Sequence, residues 1–270
     1  MDNRKIGVFD SGLGGLSVVR EMRKIMPAES IVYFGDTARL PYGSKSRAVI
    51  TDFSRQITRF LLEQDVKAIV IACGTASTNA LDTLRSEFDV PIIGVAEPGA
   101  RSAVRASRSG RIGVLGTEAT VKSGAFDKMI HQLAPEAEVI SQACPLFVPL
   151  VESGWFHDAI TDRVAERYLQ PLIEEGVDTV VLGCTHYPLI KEAIGQAVGK
   201  DVKLINVSKE AVLEIRDFLD RMDMLARGGE STCEFYASDS IDHMASFAEL
   251  VLGMGGLTAN KIDIEKYDKR

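Results

Sequence analysis

Two of the four cysteines stand in matching company: Val70-Ile71-Ala72-Cys73-Gly74-Thr75 and Val181-Leu182-Gly183-Cys184-Thr185-His186. Each ends a short apolar run and leads into hydroxyl or imidazole groups, namely Thr75, Ser77 and Thr78 after the first and Thr185, His186 and Tyr187 after the second. A thiol works as an acid, or once ionised as a base or nucleophile, and a helix N-terminus just beyond a strand is expected to favour the thiolate. The N–H and O–H groups of such a helix start also hold carboxylates without a full cation. A lone cysteine there would read as a core residue. Two in matching contexts read as a working pair, and His186, two residues after Cys184, reads with it. Cys144 and Cys233 are assigned to structure. With no Cys-x-x-Cys pair, a thiolate metal cluster is disfavoured.

Two glycine-bearing segments offer further groups. Asp10-Ser11-Gly12-Leu13-Gly14-Gly15-Leu16-Ser17 lies between a strand and a helix, as a dinucleotide loop would. Ser17 stands where the third glycine is needed, and the lysine of a phosphate loop is missing, so both readings are rejected. What remains is a tight turn presenting Asp10 and Ser11. The segment Gly35-Asp36-Thr37-Ala38-Arg39-Leu40-Pro41-Tyr42-Gly43 reads as a surface loop suited to a cleft wall.

These groups need a scaffold, and the apolar pattern supplies one. Continuous runs at Ile6–Phe9, Ile31–Phe34, Ala68–Ala72, Ile92–Val95, Ile112–Leu115, Thr179–Leu182 and Val202–Ile205 read as strands covered on both faces. Amphipathic stretches between them, such as Leu16–Met26 and Ser46–Glu63, read as helices. The expected fold class is α/β, with parallel sheets flanked by helices. A repeat runs through it: Ile6-Gly7-Val8-Phe9-Asp10-Ser11 resembles Ile112-Gly113-Val114-Leu115-Gly116-Thr117, and the two cysteine segments follow at nearly the same offset. Duplication of one α/β unit predicts two similar lobes, with each cysteine at the same place in its own lobe. If the halves pair face to face, the thiols approach a shared cleft from opposite sides. The Gly/Pro/Ser-rich stretch from Glu97 to Gly110 is the expected crossing between lobes.

Composition excludes several classes. The 270 residues are 46% hydrophobic and 26% charged, ordinary for a globular protein. A net charge of −7 without a basic stripe argues against a nucleic-acid partner. The longest apolar runs fall far short of a membrane span, and the first residues show no export segment. A cytoplasmic location without disulfides or membrane contact is therefore expected.

The chain resembles the glutamate racemases. The likeness is carried by Phe9-Asp10-Ser11-Gly12 with Gly14-Gly15, by Gly35-Asp36-Thr37-Ala38-Arg39 with Pro41-Tyr42-Gly43, and by Ala72-Cys73 with Thr75-Ala76-Ser77. It continues through Glu97-Pro98-Gly99-Ala100, Cys144-Pro145-Leu146-Phe147-Val148-Pro149-Leu150-Val151-Glu152 and Leu182-Gly183-Cys184-Thr185-His186-Tyr187-Pro188. The resemblance implies a first lobe of residues 1–97 with 207–270, a second of 98–206, and an active site in the cleft between them. It implies glutamate as substrate, no cofactor, no metal, a homodimer, and a supply of D-glutamate for peptidoglycan. Cys73 would deprotonate D-glutamate and Cys184 L-glutamate, with Asp10 assisting the first and Glu152 and His186 the second. Asp10, Ser11, Pro41, Tyr42, Gly43, Gly74, Thr75, Thr185 and His186 would bind substrate, with Thr120 an addition. Gly74 departs from the family, which usually has Asn after the first cysteine. Rival readings are a racemase of aspartate or another acidic amino acid, and a non-catalytic binding relative.

Overall fold

Ile6, Val8 and Phe9 are all buried although alternate residues of a strand face opposite ways, so their strand must be covered on both sides. The computed structural model, which describes residues 2–228 and 230–268, bears this out. In chain order the strands are β1 (Lys5–Asp10), β2 (Ile31–Gly35), β3 (Val66–Ile71), β4 (Ile92–Gly94), β5 (Arg111–Gly116), β6 (Glu138–Ala143), β7 (Thr179–Leu182), β8 (Lys203–Asn206), β9 (Cys233–Ala237) and β10 (Ala259–Lys261). They form two sheets in the orders β10-β9-β2-β1-β3-β4 and β6-β5-β7-β8, with parallel pairing throughout. Each sheet belongs to its own compact unit. The first unit runs to Val95 and resumes at Ala211; the second is Ala96–Glu210.

The repeat seen in sequence is a repeat of topology. Strands β2-β1-β3-β4 of the first unit and β6-β5-β7-β8 of the second share one order, with β1 and β5 in equivalent central places. Beyond the shared four, the first sheet is extended by β9 and β10, contributed by residues after Ala211. Between strands lie helices such as Leu16–Ile25, Arg47–Glu63 and Gly74–Glu87, whose apolar faces cover the first sheet. No helix among the described residues is long and apolar enough to cross a membrane.

The stretch from Glu97, expected from sequence as the crossing between lobes, lies at the start of the second unit and is mostly α-helix, Ala96–Ala106. Pro98 sits in its first turn, where a missing N–H leaves no intrahelical bond unmade. Gly99 is required for packing, because a Cβ there would lie 2.6 Å from Val207. Only the tail, Ser107 to Gly110, is a turn, and Asp178 organises it by accepting from the Ser107 hydroxyl and the Arg108 and Ser109 amides, each at 2.7 Å.

At the edge where the first sheet's strands begin, a buried ion pair ties distant segments together. Lys67, at the start of β3, forms an ion pair with Glu29 Oε2 at 2.6 Å, with both side chains sealed from solvent (0% and 2% exposed). The same ammonium donates to the carbonyls of Asp2 and Met224, and the other Glu29 oxygen accepts from the Ala226 amide. Removing one member strands a buried charge, which costs roughly 3–5 kcal/mol. Lys67→Met should therefore lower stability by about that amount in urea denaturation. Lys67→Met with Glu29→Leu should recover part of the loss, but not all, because two carbonyls still lack their donor.

Candidate active site

In a parallel sheet all strands finish at one edge, and ligands bind there. In the first unit that edge is built on β1. The Ala72 amide donates to the Phe9 carbonyl at 2.8 Å and the Asp36 amide to the Asp10 carbonyl at 3.0 Å, so Cys73 and Asp36 leave the sheet on either side of Asp10. Cys73 is buried and caps the helix Gly74–Glu87, its sulfur accepting the Ala76 amide at 3.5 Å. Its thiol also meets the Ser11 hydroxyl at 3.4 Å. Asp10 is buried, and its carboxylate accepts the Gly12 amide at 3.0 Å. The glycine turn is held close: a Cβ at Gly15 would fall 2.6 Å from that of Asp10 and 2.9 Å from that of Ala72. Thr75 and Gly74 form the first turn of the Cys73 helix, where their carbonyls accept from the Thr78 and Asn79 side chains.

The segment read from sequence as a surface loop is two short 3-10 turns, Thr37–Arg39 and Tyr42–Ser44, around a buried carboxylate. Asp36, absent from the site residues expected from sequence, is fully buried. It accepts from Arg39 Nε at both oxygens (3.0 and 2.8 Å), from the Tyr42 hydroxyl and, at 2.9 Å, from the Ser238 hydroxyl. The Tyr42 hydroxyl is thus committed to Asp36, while its ring belongs to the same apolar cluster as Cys73. Pro41 and Gly43 are exposed on either side of it. The Arg39 guanidinium lies 3.9 Å over the Phe53 ring, which completes the wall. Nothing local in the sequence marks Asp36, whose burial and Ser238 partner arise only in the folded chain.

In the second unit the frame is the same. The Gly183 amide donates to the Leu115 carbonyl at 2.8 Å and the Cys144 amide to the Gly116 carbonyl at 2.9 Å. Cys184 therefore occupies the place of Cys73, and Cys144 that of Asp36. The surroundings differ. Cys184 Sγ lies 3.7 Å from His186 Nδ1, and His186 Nε2 lies 3.0 Å from Glu152 Oε1, a continuous thiol–imidazole–carboxylate chain. Glu152 reaches it from the end of the helix Phe147–Glu152. Thr185 is buried beside Cys184. Thr120, also buried, pairs its hydroxyl with that of Thr117 at 3.1 Å and not with the thiol chain. The expectation of a helix immediately after Cys184 is corrected. A turn and the 3-10 segment Tyr187–Ile190 come first, and the α-helix begins only at Lys191. Pro188 in that segment is compatible with the tighter turn. Among the described residues no group of three His, Cys, Asp or Glu is arranged to hold a metal ion.

The expected thiolate at Cys73 is also corrected. Burial, with the neighbouring Asp10 charge next, pushes this thiol up to about 12, against which the Ser11 and Ala76 bonds act only partly. Burial pushes Cys144 and Cys233 up to about 12 as well. The sign for stability follows. These thiols ionise near 9 in the unfolded chain but stay protonated in the folded one, so the folded state binds more protons between about pH 9 and 12. Stability should be unaffected by them below that window and fall as pH rises through it, by at most about 1.4 kcal/mol per pH unit per thiol. Urea midpoints measured from pH 8 to 11 should show this decline, and Cys144→Ala with Cys233→Ala should make it shallower.

Comparison with known proteins gives this geometry its context. The sequence model of the Asp/Glu/hydantoin racemase family matches residues 6–215. A glutamate racemase of Geobacter metallireducens is 49% identical over 84% of this chain and 82% of its own. The solved structure of a glutamate racemase isoform from Bacillus anthracis superposes with a TM-score of 0.92 at 36% identity, covering 97% of this chain and 98% of the other. That of Francisella tularensis glutamate racemase, in complex with D-glutamate, superposes at 0.90 with 38% identity, covering 99% and 100%. With the family pattern spanning most of its length, the chain belongs to the Asp/Glu/hydantoin racemase family, and the three relatives named above are glutamate racemases.

Proposed function

We propose that this protein interconverts L- and D-glutamate by proton transfer at the α-carbon, using Cys73 and Cys184 as two bases on opposite faces and no cofactor. The observation that carries the reading is the equivalence of the two cysteines. Each follows the third strand of its unit, one residue past the last bond to the central strand, and each has its own polar partner, Asp10 for Cys73 and His186 for Cys184. Substrate identity rests on the relatives, one of which holds D-glutamate.

Cys73 removes the α-proton of D-glutamate, and Cys184 delivers a proton to the opposite face, giving the L-enantiomer. The reverse reaction exchanges the roles. Cys73, protonated while buried beside Asp10, must first pass its thiol proton to the Asp10 carboxylate, and the substrate ammonium favours that transfer by stabilising the thiolate left behind. In the reverse direction His186 first takes the Cys184 proton, leaving the thiolate that removes the α-proton of L-glutamate, and Glu152 fixes the ring and stabilises its charged form. Ser11, Gly43, Gly74, Thr75 and Thr185 hold the carboxylates and the developing carbanion through N–H and O–H groups, with Tyr42 contributing its backbone N–H and Pro41 shaping the wall beside them. The product would serve peptidoglycan synthesis in the cytoplasm, with the enzyme acting as a homodimer.

Circular dichroism should show loss of rotation from either pure enantiomer. In heavy water deuterium should enter the product while unreacted substrate of the starting hand stays protonated, whereas labelling of recovered substrate would mean a single mobile base. Cys73→Ala and Cys184→Ala should each abolish racemisation, and retention by either refutes the assignment. Gly74→Asn should stay active, its main effect on affinity, because Gly74 already offers its backbone N–H at the helix start.

A further inference from the structure

The turns bearing Pro41, Tyr42 and Gly43 are anchored by residues some 200 positions later. The Ser238 hydroxyl donates to Asp36 Oδ1 at 2.9 Å and accepts the Ala38 amide at 2.9 Å. Next to it, the Thr37 hydroxyl donates to the Asp239 carbonyl and accepts the Asp239 amide at 3.0 Å. Asp239 is held in turn by Lys261 at 2.6 Å, on the last strand of the sheet. Ser238 is itself buried, directly after β9, which pairs with β2 up to Gly35. A single hydroxyl thus joins the C-terminal strands to the carboxylate that fixes Tyr42.

We infer that Ser238 is a positioning residue for substrate binding, acting through Asp36 and Tyr42 to fix the wall beside Cys73. The inference rests on the racemase reading of that wall. Asp36 is sealed from water, so its charge must be matched by donors within the protein. Three side chains match it: Arg39 and Tyr42 from the wall, and Ser238 from outside. With the serine hydroxyl gone, one carboxylate oxygen and the Ala38 amide lose a partner together. Arg39 and Tyr42 are then free to rotate with the carboxylate, and the exposed backbone at Pro41 and Gly43 shifts with them. Ser238 touches no reacting atom. A loosened wall weakens ground and transition states alike, which raises KM and leaves kcat nearly untouched.

The test compares the parent protein with Ser238→Ala and Ser238→Thr. Racemisation of D-glutamate is followed by circular dichroism, and D-glutamate binding by calorimetry. Loss of a hydrogen bond to a buried charge predicts that Ser238→Ala raises KM and Kd about tenfold. The kcat should change by less than about threefold, and Ser238→Thr, which keeps the hydroxyl, should restore both constants. A purely structural role would reduce the active fraction, lowering kcat at unchanged KM. That result, parental constants in Ser238→Ala, or failure of Ser238→Thr to rescue would overturn the inference. A parent that binds D-glutamate without turning it over would instead defeat the racemase reading. The inference would then stand or fall on whether Ser238→Ala weakens Kd while Ser238→Thr does not.

Discussion

One main-chain hydrogen bond in each unit decides where the chemistry can occur. The amide of Ala72 reaches back to Phe9, and that of Gly183 to Leu115. These bonds end the pairing of the third strand with the central one, so the next residue is the first free to leave the sheet. That residue is a cysteine in both units. Because the pairing is parallel, the helix or turn that follows starts at the edge where the central strand ends, beside Asp10 or Gly116. Neither thiol owes its place to a side-chain contact. The sheet delivers it, and the side chains around it supply its hydrogen-bond partners.

The same frame carries different chemistry in its two copies. Where the first unit has Asp10, Asp36 and Gly74, the equivalent backbone positions of the second hold Gly116, Cys144 and Thr185. A carboxylate therefore crowds the first cysteine directly, whereas the second meets an imidazole that holds its carboxylate one step away. Burial and then a neighbouring charge raise the first thiol, whereas the second is joined to an imidazole that can carry a proton.

Strands β1 to β5 and β7 were legible because both faces are covered and their residues form apolar runs, whereas β8, with Lys203 exposed, was marked only by Val202, Leu204 and Ile205. Strand β6, with the sequence Glu-Val-Ile-Ser-Gln-Ala, is only partly buried at the sheet edge and has no such run. Strands β9 and β10 escaped notice for a similar reason, one being half-buried and the other short and exposed. The two cysteines and the His186–Glu152 pair stand in motifs with local signatures. The role of Asp36 has none, because its meaning comes from Ser238, far along the chain. Protonation at Cys73 also escaped. A helix start favours charge, but complete burial opposes it more strongly, and burial is a property of the assembled core.

The discontinuity of the first unit also orders events in time. During synthesis from the N-terminus, β1 to β4 emerge early, yet β2 lacks its outer neighbour and Lys67 lacks the Met224 carbonyl until the chain after Ala211 follows. The second unit is a single uninterrupted span that leaves the ribosome sooner than that last segment. It can thus finish all of its sheet bonds while the earlier-made unit is still waiting, so the half that is translated first is the half that matures last.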